Sequence, residues 1–71
     1  MTRMTIKATN CTAEQLEESL ISESGYRCRV EQTGAGEFVL ETFHHYLTVR
    51  DHMYPALDRN RAVESYRTDG A

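Results

Sequence analysis

Seventy-one residues, 39% hydrophobic and 27% charged with a single proline, suit one small folded domain and leave little room for a substrate cleft. The net charge of −3 arises in the first 41 residues, where seven acids (Glu14, Glu17, Glu18, Glu23, Glu31, Glu37, Glu41) face four bases, and the remainder is balanced. That balance disfavours long-range attraction to a phosphate backbone or an anionic membrane, and no stretch approaches the ~20 apolar residues needed to span a bilayer.

The first ten residues lack the apolar run of a signal peptide, so a cytoplasmic protein is expected, and Cys11 and Cys28 are then free thiols rather than a disulfide framework. Residues 3–9 alternate, with Met4, Ile6 and Ala8 on one side and Arg3, Thr5 and Lys7 on the other, which predicts a strand. Asn10 turns the chain toward a helix over 12–24. Thr12 and Gln15 have capping-box spacing, Glu14 lies in the first turn, Ala13, Leu16, Leu20 and Ile21 form an apolar stripe, and Gly25 supplies the stop.

Residues 26–33 alternate again, with Tyr26, Cys28 and Val30 facing a core and Arg27, Arg29 and Glu31 facing water. Gly34-Ala35-Gly36 makes a tight connection to a strand over 37–43, so the two form a hairpin, on which Arg27 and Arg29 either make a small nucleic-acid platform with aromatic neighbours or pair across to Glu37 and Glu41, the pairing being preferred. Residues 46–51 read two ways. Leu47 and Val49 alternate against Tyr46, Thr48 and Arg50 as in a strand, while Phe43, Leu47, Arg50, Tyr54 and Leu57 fall near helical spacing. The β-branched Thr48 and Val49 favour the strand, extending the hairpin into a meander that Pro55 interrupts. Beyond it lies either a short helix starting at Pro55 or a turn over 58–61 and a last strand over 62–68, the second being preferred. The expected architecture is thus α+β: an antiparallel sheet of three to five strands, β-α-β-β-β, with one main helix on one face and the C-terminal element left open.

The only dense group of potential metal ligands or bases is His44, His45 and His52. Sixteen residues separate Cys11 from Cys28 and fifteen separate Cys28 from His44, which is not the close-pair spacing of a structural zinc site. No metal and no cofactor are expected. The glycines at 34 and 36 sit between strands rather than before a helix, which is not a phosphate cradle. With neither an oxyanion hole nor a cleft to serve a cysteine nucleophile, no enzymatic activity is expected.

What remains is a surface for binding another protein. A compact acidic chain, a capped glutamate-rich helix over 12–24 and a glycine-linked hairpin over 30–43 resemble, in kind, the small phage-encoded inhibitors of bacterial defence, anti-CRISPR proteins above all. That resemblance implies a protein that docks on a basic groove of a host nucleic-acid-handling complex without itself binding nucleic acid. Glu14, Glu17, Glu18 and Glu23 would then imitate phosphates, with Tyr46 and Tyr54 as anchors. The alternative is a self-associating subunit, a homodimer joined through a strand edge or the tyrosine-rich second half.

Overall fold

The computed structural model describes residues 1–70. Four strands, β1 (Thr2–Ala8), β2 (Arg29–Gly34), β3 (Glu37–Thr42) and β4 (Val63–Gly70), form one antiparallel sheet in the order β2-β3-β1-β4. A helix, α1 (Ala13–Ser24), and a second helical stretch, running from Tyr46 to Arg59, cover one face.

Helix α1 starts and stops as its sequence dictates. The Thr12 hydroxyl accepts the Gln15 amide at 3.1 Å, and the Gln15 side chain accepts the Thr12 amide at 3.0 Å, which satisfies two N-terminal donors reciprocally. Gly25 closes the helix at φ 78°, donating its N–H to the Ile21 carbonyl. Leu16 and Leu20 are fully buried, while Ala13 and Ile21 are half-buried at the margin.

In the sheet, alternation places Thr2, Met4, Ile6 and Ala8 of β1 against the helices, with Val30 of β2 and Phe38, Leu40 and Thr42 of β3 beside them. Burial of each large apolar side chain stabilises by about 1.5–3 kcal/mol. The hairpin forms as expected. Gly36 adopts φ 71° under the end of β1, where an added Cβ would lie 3.2 Å from the Ala8 carbonyl oxygen. The second strand is shorter than its alternation suggests: Tyr26, Arg27 and Cys28 approach it as irregular chain, and pairing begins at Arg29.

The strand expected over 46–51 is not formed. The segment is helical: α2 (Tyr46–Thr48) runs into a π-helical turn (Val49–Met53) and then α3 (Tyr54–Arg59). Burial of Val49, Met53, Ala56 and Leu57 on one side outweighs the β preference of Thr48 and Val49. His45 caps the start, its Nδ1 accepting the Leu47 amide at 3.1 Å. Nor does Pro55 interrupt the stretch. It sits in the first turn of α3, directly after the wide turn in which Tyr54 donates to the Val49 carbonyl five residues back, so its missing N–H falls where the bonding pattern changes.

There is consequently no meander. The chain crosses from β3 over the sheet face as a helix and returns as β4 on the far flank of β1. The last strand expected over 62–68 is present. The turn before it is held by Asn60, whose side-chain oxygen accepts the Ala62 amide at 2.9 Å, while its amide nitrogen donates to Ser19 on α1 at 3.3 Å.

Candidate functional site

The four glutamates of α1 do not form one set. Glu14 and Glu18, four residues apart, lie about 40° from each other around the helix and both are exposed. Glu23, also exposed, sits on the last turn, about 140° round from Glu18. Glu17 is half-buried and turned toward the sheet, where its carboxylate accepts the Val30 amide of β2 at 2.8 Å. Glu17 is therefore occupied by the fold. Among the described residues, ion pairs join Arg29 to Glu31, Arg50 to Asp51 and Arg67 to Asp69, and none reaches Glu14, Glu18 or Glu23.

Tyr46 and Tyr54 belong to a separate cluster. Their rings meet edge-on with centroids 6.4 Å apart, and Tyr54 packs on Tyr66 at 4.9 Å. The Tyr54 hydroxyl shares a hydrogen bond with Thr68, and Tyr66 donates to Asp58 at 2.7 Å. The tyrosines thus fasten α3 to β4, and both Tyr46 and Tyr54 are half-buried.

The histidines do not converge on the cysteines. Tyr26 lies between His44 and His52, with ring centroids 4.8 Å away on each side, while His45 is used as the helix cap. Among the described residues, no three His, Cys, Asp or Glu side chains form a group able to hold a metal ion. Burial, and then the charge of Glu17, push the Cys28 thiol up to about 11, so it stays protonated near neutral pH and is a poor nucleophile there. No helix among the described residues is long and apolar enough to cross a membrane.

The face of the sheet away from the helices is polar and balanced in charge. Cross-strand register sets Glu41 between Arg29 and Arg3, and Lys7 beside Glu37. Arg29 pairs along its own strand with Glu31 at 2.8 Å rather than across it. Beyond this face, at the end of the sheet, Phe43 is 88% exposed and Met1 68% exposed, flanking a groove of about 350 Å³ that Arg27, Cys28, Arg29 and Glu41 also line.

The chain was compared with protein-family models, with curated proteins and with solved structures. It matches none of them. Phe43 is the feature that composition and motif spacing pass over. Strand parity does contain it, because Phe38, Leu40 and Thr42 point into the core, which sends the next residue outward.

Proposed function

We propose that this domain is a non-catalytic protein-binding module that docks the exposed side of α1 on a basic, nucleic-acid-binding surface of another protein. One observation carries the reading: Glu14 and Glu18 stand side by side on a capped helix with no basic partner within 4 Å among the described residues. Like charges at this spacing cost a helix about 0.2–0.5 kcal/mol, and a basic partner surface would remove that cost. In its narrower form the protein acts in the host cytoplasm as a phage or mobile-element inhibitor of a CRISPR-type complex, blocking a nucleic-acid groove by shape and charge.

The test is an affinity pull-down from bacterial lysate at low and moderate salt, with wild type compared against a Glu14→Lys/Glu18→Lys variant. The expected result is a nucleic-acid-binding complex captured by wild type, released as salt rises and not captured by the variant. An identical set of captured proteins with both baits overturns the reading.

A further inference from the structure

We propose that two copies of this chain associate through the Phe43 groove in a two-fold, isologous interface. The exposure of Phe43 is imposed by its neighbours. The Thr42 hydroxyl donates to the Arg27 carbonyl at 2.8 Å and accepts the His44 amide at 3.3 Å, and the buried Thr2 hydroxyl donates to the His44 carbonyl at 2.9 Å. The backbone on both sides of Phe43 is thereby held, and the ring projects from an ordered frame that loses little further freedom on binding.

Phe43 and the groove belong to one patch. A projecting ring and a hollow side by side are what a self-complementary two-fold interface requires, since each copy then offers a knob to the hollow of its partner. The charges select the occupant. Arg27 and Glu41 both line the groove and neither forms an ion pair among the described residues, whereas Arg29 is engaged by Glu31. A partner surface of one sign would leave one of the two facing a like charge. A second copy matches both, with Arg27 of each protomer opposite Glu41 of its partner.

An interface of ordinary size, about 800 Å² per partner, takes roughly a sixth of the 4621 Å² surface. The groove and its rim occupy one end of the sheet, which places the association at the small end of that class, where transient complexes lie. The association is independent of α1, so the two proposals stand or fall separately.

Sedimentation equilibrium between about 5 µM and about 2 mM covers the range of a transient association. Wild type is expected to move from monomer toward dimer mass across the series. Phe43→Ser weakens the association by about tenfold or more, as loss of a central aromatic anchor does. Arg27→Glu and Glu41→Arg each weaken it, and the double variant, which exchanges the two charges, restores it to within about threefold of wild type. Circular dichroism of each variant separates loss of association from loss of fold. A wild-type monomer throughout the series overturns the proposal, leaving the groove to a different partner. Folded Phe43→Ser that associates like wild type, or a charge exchange that restores nothing, overturns it as well.

Discussion

The Glu17 carboxylate reaches from α1 to the Val30 amide of β2, 2.8 Å away, and covers a donor on the outer edge of the sheet. An edge strand with free backbone groups invites pairing with other chains. A helix side chain that takes one of those groups both fastens α1 to the sheet and discourages strand addition there. It adds to the ladder with β3 and the buried Val30 side chain, which hold β2, whose side chains are otherwise mostly exposed.

Glu17→Ala should therefore destabilise the domain by about 1–3 kcal/mol, since it leaves a partly buried amide unsatisfied. Glu17→Gln keeps an acceptor and should cost less. Urea denaturation gives the stabilities, and amide exchange at Val30 should accelerate in the alanine variant before the rest of β2 responds.

The raised Cys28 thiol carries a pH dependence of definite sign. Because the folded state holds the thiol to about 11, above its ordinary value of 9.0, the associated stability is complete below pH 9 and is lost as pH rises toward and through 11. Cys28→Ala should flatten the fall in the urea midpoint over that window. The residual alkaline loss belongs in part to Tyr66, whose hydroxyl is pushed up to about 12 by burial, by its hydrogen bond to Asp58 and by the nearby charge.

Local chemistry made β1, α1 and the hairpin legible, because each announces itself by signals spanning a few residues: alternation in Met4-Ile6-Ala8, the Thr12-Gln15 box, and Gly25 and Gly36 at positive φ. Residues 46–59 did not yield to the same reasoning. Their buried residues Val49, Met53, Ala56 and Leu57 recur at i, i+4, i+7 and i+8, a regular helical stripe, but the alternation of Leu47 and Val49 and the β-branched pair Thr48 and Val49 compete with it at the start of the segment. The strand preference of Thr48 and Val49 was a local signal overruled by a non-local one, the core formed by Leu16, Leu20 and the sheet. Glu17 stands apart from Glu14 and Glu18 by its place four residues after Ala13 and three before Leu20, inside the apolar stripe, but the strand amide that it meets lies thirteen residues downstream.

The cap at His45 gives a third prediction. An imidazole is not among the favoured N-cap groups, yet its Nδ1 here accepts the Leu47 amide at the start of the stretch that buries Val49 and Met53. His45→Ala should cost about 1 kcal/mol, and His45→Asp should restore or exceed wild-type stability, since aspartate both caps and complements the helix dipole. Thermal unfolding followed at 222 nm checks the order. Equal stability in the alanine and aspartate variants would show that packing alone starts this helix.

Asp69 closes β4 against β1, and its titration reports the contacts at that end of the sheet. Its carboxyl is held below the ordinary carboxylate range, first by the hydrogen bond from the Thr5 hydroxyl, then by the Arg67 guanidinium, which donates at 3.0 Å, and by the charges of Arg67 and Arg3. A carboxyl lowered in the folded state contributes stability at pH values above its unfolded value, near 3.9, and loses it as pH falls through the folded value. Thr5→Ala and Arg67→Ala should each raise the Asp69 titration midpoint, read by carboxyl-carbon NMR. An unchanged midpoint in Thr5→Ala would show that the hydroxyl does not hold the carboxylate. Because β4 lies at the sheet edge and β1 at its centre, Thr5→Ala should also loosen β4 selectively, with faster amide exchange from Arg67 to Asp69 and little change in β3.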